Sequence, residues 1–240
     1  MPTASQSPRD TPIASAERFS RRGIRRHQRL WPALLLAALA GCETTTQQRV
    51  RHYNEDGVHL AQQGNYQSAR ESFALALELQ PEDPAIFYNL GHCCDRLGES
   101  IKAEQYYLQC IKRSAQHADC RHALAVLLYR TGRKQEASSM IQDWLVQQPK
   151  LADAYALDGW RLRQDNNIPD AQGRLQQALA LDPHNVRANI ELGILYENMN
   201  LPERSVVLYE RALAKNPNQP EVTARLTSLR AKKIGRPLPD

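Results

Sequence analysis

A period of 34 residues fills most of this 240-residue chain. Five copies follow one another without insertion, as residues 50–83, 84–117, 118–151, 152–185 and 186–219. A period of about 20 to 50 residues predicts an array of similar supersecondary units, because one such unit cannot bury its apolar face alone and must stack on its neighbours. The period therefore determines the architecture expected for the whole body of the chain.

Four columns of the repeat are nearly uniform. Positions 8 and 20 hold only Gly, Ala or Ser, position 24 is always large and apolar, and position 32 is proline in four of the five repeats. Apolar residues fall at helical spacing in two runs, which a polar turn separates. The turn residues are Gly64, Gly98, Gly132, Asn166 and Asn200. We therefore expect each repeat to be a helical hairpin in which small residues permit a close crossing and proline ends the second helix.

This pattern resembles the tetratricopeptide repeat, most clearly in Phe87…Leu90-Gly91 and in Leu192-Gly193…Tyr196…Tyr209…Ala212…Pro217. The resemblance covers 170 of the 240 residues. It implies an all-α, right-handed superhelical solenoid of five helix hairpins. Residues 220–240 begin another first helix and are expected to form a capping helix and a tail.

Two positions depart from the pattern, both near the middle of the array. Trp144 stands at position 27 of the third repeat, where a small residue is usual, and Ala115 replaces the proline of the second repeat. We expect a splayed third hairpin, or a shifted neighbour, and a less sharply defined joint between repeats two and three.

Residues 1–41 have the features of a secretory signal peptide. A polar, cationic stretch precedes an apolar segment at residues 30–40, which is too short to span a bilayer as a helix. Leu39-Ala40-Gly41-Cys42 resembles the lipobox of bacterial lipoproteins, which implies cleavage before Cys42, lipidation of Cys42 and a short tether over residues 42–49. Glu43, rather than Asp, follows the cysteine and points to the periplasmic face of the outer membrane. The alternative is a cytoplasmic protein whose signal is not used.

The charge distribution argues against nucleic acid as a partner. The formal charge is +5, but residues 1–41 contain seven arginines and two acids and so carry all of it. A body without net charge provides no long-range attraction for a phosphate backbone. Motifs of hydrolases, P-loop proteins and zinc proteases are missing, and the acidic residues are expected at solvent-facing helix positions. We therefore expect no catalysis, no cofactor and no small-molecule substrate.

The body contains four cysteines: Cys93, Cys94, Cys110 and Cys120. They are either small core residues or, after export to an oxidising compartment, partners in disulfides whose three possible pairings the sequence leaves open. His92, Cys93, Cys120 and His122 could also be placed around zinc. Their spacing matches no metal motif, so no metal site is expected.

The first-helix positions that face the concave side of tetratricopeptide solenoids suggest a binding groove for a peptide or protein. Tyr and Trp side chains there are expected to be exposed and in register with arginines, a combination typical of binding hot spots. The candidate groove residues are Tyr88, His92, Arg96, His122, Tyr129, Arg130, Trp160 and Arg163.

These features predict a non-catalytic, membrane-anchored scaffold that binds an envelope protein in its groove. The layout resembles that of lipoproteins that help a pilus or secretion complex to assemble. The alternatives are a scaffold for cell-wall enzymes and, if the signal is not used, a cytosolic co-chaperone.

Overall fold

The computed structural model describes the backbone of residues 30–234 and the side chains of residues 45–231. The cationic stretch before Leu30 and the side chain of Cys42 lie outside the described residues. The chain divides into two compact units, residues 1–49 and 50–240. In the first unit the description begins with the backbone of Leu30, and the second unit contains the repeats.

The described residues form eleven α-helices and no β-strand, which confirms the all-α prediction. The helices are α1 (Leu30–Gln62), α2 (Tyr66–Leu79), α3 (Pro84–Arg96), α4 (Ser100–Arg113), α5 (Ala118–Arg130), α6 (Lys134–Gln147), α7 (Ala152–Gln164), α8 (Ile168–Leu181), α9 (Val186–Asn198), α10 (Pro202–Lys215) and α11 (Pro220–Ile234). Helices α3, α5, α7, α9 and α11 begin at successive intervals of 34 residues. None of the described helices is both long and apolar enough to cross a bilayer.

The turn within each hairpin contains one residue in the left-handed region. Gly64, Gly98 and Gly132 have φ of 82°, 80° and 81°, and Asn166 and Asn200 have φ of 60° and 58°. The N–H of each following residue bonds back to a carbonyl of the first helix, as in Asn65 to Leu60 at 2.9 Å. Glycine and asparagine tolerate this conformation best, which explains their use at this position.

The close crossing of paired helices rests on glycine at position 8. A Cβ atom on Gly91 would lie 2.6 Å from Cε1 of Tyr107, and one on Gly193 would lie 2.5 Å from Cε1 of Tyr209. Real Cβ atoms do not approach carbon this closely. The residue at position 24 therefore fills the space that the missing side chain leaves.

The third hairpin is irregular, as predicted. Helices α5 and α6 run close together over a shorter stretch than the paired helices of repeats two, four and five. Ala125 stands at position 8 in place of glycine, and Trp144 is buried at 1% exposure with the Arg121 guanidinium 4.8 Å from its ring centroid. The added volume of these side chains keeps α6 away from α5.

Side-chain hydrogen bonds mark the joints between repeats, a feature that the repeat pattern did not predict. In repeats three, four and five the fourth residue donates to the carbonyl at position 32 of the preceding repeat. Tyr155 Oη donates to Pro149 O at 2.9 Å, and Asn189 Nδ2 donates to Pro183 O at 3.1 Å. Arg121 donates to Ala115 O at 3.0 and 3.2 Å. The joint that lacks proline thus keeps the same bond and, in addition, contains a disulfide between Cys110 and Cys120.

Changing Gly193 to Ala is expected to lower the free energy of unfolding by about 1–3 kcal/mol, because the new methyl group overlaps the buried Tyr209 ring. Gly173 is the matched control, since it is exposed within α8 and a Cβ there meets nothing within 4 Å. Gly173→Ala should raise the free energy by about 0.5–1 kcal/mol through helix propensity. Urea unfolding followed by circular dichroism measures both changes, and equal values for the two variants would contradict the steric explanation.

Candidate functional site

The first helices of successive repeats line the inner face of the array. Close backbone approaches join α3 to α5, α5 to α7 and α7 to α9. The residues predicted to form a groove all lie on α3, α5 and α7. Those on α3 form an accessible group, whereas those on α5 and α7 are packed or ion-paired, although Arg130 itself stays exposed.

An aromatic patch surrounds the accessible group, and we define it as Tyr66, Tyr88, His92, Arg96 and His117. The Tyr88 ring stacks on His92 at a centroid distance of 6.5 Å and on His117 at 5.9 Å. Tyr66 meets His92 edge-on at 6.0 Å, and the Arg96 guanidinium lies 5.1 Å from the Tyr66 centroid. The four rings are half-buried and Arg96 is exposed. Burial, together with the charge of Arg96, lowers the pKa of His92, so its ring is neutral at neutral pH.

Sequence reasoning found three members of this patch and missed two. Tyr66 begins α2 and His117 precedes α5, so neither occupies a concave position of a first helix. Both are aromatic or imidazole side chains at the ends of elements adjoining α3. Only the packing of neighbouring repeats brings them beside Tyr88 and His92.

Trp160 is buried, and the expectation that it is exposed was wrong. Its exposure is 6%, and it is wedged edge-on between His122 at 5.3 Å and Tyr129 at 5.1 Å. One turn earlier on α7, Ala156 is fully buried. Its small side chain permits the neighbouring helices to approach α7 closely, and Trp160 is enclosed between them.

Two of the three predicted groove arginines are engaged in ion pairs between repeats. Arg130 pairs with Asp95, and Arg163 Nη2 lies 2.7 Å from Glu191 Oε2. Among the described side chains, Arg96 forms no ion pair with a carboxylate. Of these three arginines, the exposed one without an ion pair is therefore Arg96, at the aromatic patch.

A further ion pair bridges two repeats that are not adjacent. Arg187 Nη2 on α9 lies 2.8 Å from Asp119 Oδ1 on α5, so the contact passes α7. This bridge crosses α7, the helix that carries the enclosed Trp160. The structure does not leave a continuous groove along all the predicted residues.

Not all acidic residues lie on the surface, which corrects the sequence-based expectation. Asp158 stands at position 7, where Leu is common, and is 1% exposed. It accepts from Arg161 Nε at 2.9 Å and lies 2.9 Å from Arg174 Nε. These residues line an open cleft of about 550 Å³ with Gln142 and Gln177. The two guanidinium groups satisfy Asp158 internally, so the arrangement stabilises a buried carboxylate.

The cysteines separate into a bonded pair and two thiols. Cys110 and Cys120 form the disulfide, with their Cα atoms 6.3 Å apart, while Cys93 and Cys94 are buried thiols. Burial raises the pKa of Cys93 to about 11, which keeps it protonated. The imagined zinc ligands are not assembled, because His92 belongs to the aromatic patch and His122 packs on Trp160. The described set that could hold a metal is instead Cys110, His117 and Cys120.

Half-buried His122, whose Nε2 atom is fully buried, makes stability depend on pH. Its Nε2 atom has no hydrogen-bond partner, and desolvation, with Arg187 and Arg163 adding repulsion, lowers its pKa well below the ordinary value. Below about pH 6.5 the unfolded chain binds a proton that the folded chain excludes, so stability falls with falling pH, by up to about 1.4 kcal/mol per pH unit for one group.

We expect His122→Phe to flatten this decline between pH 7.5 and pH 5, as measured by urea unfolding at each pH. Part of the slope should remain, because the pKa of His92 is also lowered. Val126→Ala, one turn away on the same helix, is the control, since it removes apolar volume without changing any titratable group. An unchanged slope in His122→Phe would contradict the assignment.

Comparison with known proteins supports the fold that the geometry shows. Tetratricopeptide repeat family models match residues 56–118, 117–143 and 162–232. Tetratricopeptide repeat protein 16 of Homo sapiens is 29% identical in an alignment of 170 residues, and the match covers 66% of this chain and 20% of that protein. Cellulose synthase operon protein C of Xanthomonas axonopodis pv. citri is 28% identical over 166 residues, 66% of this chain and 11% of that protein. The chain thus spans only a small fraction of these relatives.

Two solved structures share the architecture. The tetratricopeptide protein TTC0263 of Thermus thermophilus superposes with a TM-score of 0.58 at 24% identity, over 76% of this chain and 99% of that one. Pseudomonas aeruginosa PilF superposes with a TM-score of 0.50 at 15% identity, over 80% and 94%. The repeat pattern, the observed helical hairpins and the matched family models agree, and the chain belongs to the tetratricopeptide repeat family.

Proposed function

We propose that this chain is a non-catalytic scaffold, anchored to a membrane by lipid on Cys42, that binds a segment of an envelope protein on its aromatic patch. Tetratricopeptide arrays generally mediate protein interactions rather than catalysis. The observation that carries the proposal is the patch itself, where four rings contact one another in series and an exposed arginine that forms no ion pair with a described carboxylate lies over the Tyr66 ring.

The chemistry of the patch defines the segment that it accepts. Arg96 can bind a carboxylate through two parallel hydrogen bonds. Tyr88 and His92 present flat, half-buried faces beside it, against which an apolar or aromatic side chain can pack. Aromatic and arginine side chains together provide most of the energy at binding hot spots. The partner segment therefore combines an acidic residue with a large apolar one.

The proposed pathway is assembly of a pilus or secretion complex at the periplasmic face of the outer membrane. Its support is the combination of a lipobox-like sequence with a short array of repeats. The likeness to PilF concerns the fold alone.

We expect Arg96→Ala to weaken partner binding by at least about tenfold, because a hot-spot arginine contributes more than about 1.4 kcal/mol. The test is affinity capture from envelope extract with the full chain, followed by titration of the captured protein. Tyr88→Ala should have a similar effect through loss of the stacked ring.

Arg204→Ala is the matched control. Arg204 is also exposed and lies over a tyrosine, 5.5 Å from the centroid of Tyr196, but it belongs to second helix α10, away from the patch. Its replacement should leave binding unchanged. Equal capture by the Arg96, Tyr88 and Arg204 variants would exclude the patch as the binding surface.

The lipid anchor is tested separately. Cys42→Ala should abolish incorporation of labelled fatty acid and move the chain from the detergent phase to the aqueous phase, whereas Cys93→Ser should retain both properties. Two or more acyl chains are needed for stable membrane attachment, so loss of the modified cysteine removes the anchor completely. If the wild-type protein incorporates no labelled fatty acid and is found in the cytoplasm, the result would favour the co-chaperone alternative.

A further inference from the structure

Three potential metal ligands meet at the joint between repeats two and three. The donor atoms of Cys110, His117 and Cys120 all lie within 4.8 Å of one another. Cys110 lies in the last turn of α4, His117 is the N-cap residue of α5, and Cys120 lies in the first turn of that helix. Both cysteines are fully buried and His117 is half-buried, so the cluster is shielded by protein but open to the surface on the imidazole side.

His117 is held in place by two contacts. Its ring stacks on Tyr88 with an interplanar angle of 27°, and its Nδ1 atom accepts a long hydrogen bond from the Cys120 N–H at 3.4 Å. A hydrogen bond of this length is weak, so breaking it to let the imidazole bind a metal ion costs little free energy. Because the ring is already oriented, little rotamer freedom is lost when it becomes a ligand.

The donor set and its surroundings favour a particular cation. Two thiolates and one imidazole match the ligands of Zn²⁺, with sulfur at about 2.3 Å and nitrogen at about 2.0–2.1 Å. Two thiolates also neutralise a divalent ion, which matters because Phe87, Tyr88, Tyr106 and Ile111 make the surroundings largely apolar. In addition, Cys120 lies at the positive end of the α5 dipole, which favours its thiolate.

The backbone accommodates either of two states of the sulfurs. A Cα–Cα distance of 6.3 Å suits a disulfide. Two sulfurs on one tetrahedral zinc ion lie about 3.8 Å apart, a separation that rotation of the two cysteine side chains can provide. The same joint can therefore be closed by a covalent bond or by a metal ion.

We propose that Cys110, His117 and Cys120 form a zinc site in the reduced protein, with a water molecule as the fourth ligand. Reduction by a dithiol transfers two electrons and two protons to the Cys110–Cys120 disulfide, which becomes two thiols while the dithiol becomes a disulfide. Zinc then displaces the two thiol protons and binds both thiolates and the imidazole. The site belongs to the joint and does not depend on the proposed partner.

The test uses the full chain, reduced under anaerobic conditions and freed of the reductant. Titration with Zn²⁺ against a chromophoric chelator should show one ion bound per chain. Titration with Co²⁺ should show sulfur-to-metal charge-transfer absorption and the intense visible bands of a tetrahedral ion. The oxidised chain should bind neither ion at this site.

Variants then identify the ligands. Cys110→Ser and Cys120→Ser should each abolish the charge-transfer band or halve it, and His117→Ala should weaken zinc binding by at least about tenfold. Cys93→Ser with Cys94→Ser is the control, because these buried thiols lie outside the cluster and the double variant should bind zinc as the wild type does. Circular dichroism of each reduced variant establishes that its helices are intact.

Three results would overturn the proposal. They are a reduced, helical chain that binds no zinc, a wild-type affinity in His117→Ala, and loss of the ion in the Cys93 and Cys94 double variant alone. The last result would show that the ion binds Cys93 and Cys94 rather than Cys110 and Cys120.

Discussion

The close crossing of two helices at position 8 is the contact on which the rest of the array depends. Where this residue is glycine, a large side chain from position 24 rests directly on the backbone, as Tyr107 does on Gly91 and Leu175 on Gly159. This contact sets the separation of the paired helices, and with it the spacing at which the next hairpin can stack. In the third repeat the contact is different. Ala125 and Trp144 together add volume there, and α6 lies farther from its partner.

The inner face is closed in its C-terminal half and accessible at its N-terminal half. Small residues on α7 allow α5 and α9 each to approach α7 closely, Trp160 is enclosed, and the Arg187 side chain reaches Asp119 across an entire repeat. Partly buried ion pairs of this kind contribute modest stability but fix the register of neighbouring helices. A partner that binds there would have to break them. At the aromatic patch, in contrast, Arg96 and the faces of Tyr88 and His92 can be contacted without loss of an inter-repeat ion pair.

The joint between repeats two and three connects the two halves. Its proline is replaced by Ala115, whose carbonyl accepts the Arg121 side chain, and its helices are further linked through Cys110 and Cys120. His117 belongs both to this joint and to the aromatic patch, because its ring stacks on Tyr88. The two sulfur atoms therefore lie beside a residue of the proposed binding surface, His117.

The sequence by itself determined the repeat unit. Its period, its glycine and asparagine turns and its small residues at position 8 predicted hairpins and the irregular third repeat, because each depends on local conformation or on a contact inside one repeat. Only the tertiary structure decided which inner-face residues are accessible. The burial of Trp160, the engagement of Arg130 and Arg163, and the pairing of Cys110 with Cys120 result from how closely successive repeats stack. The distance between successive repeats depends on the packing of several helices together, and no single position of the repeat determines it.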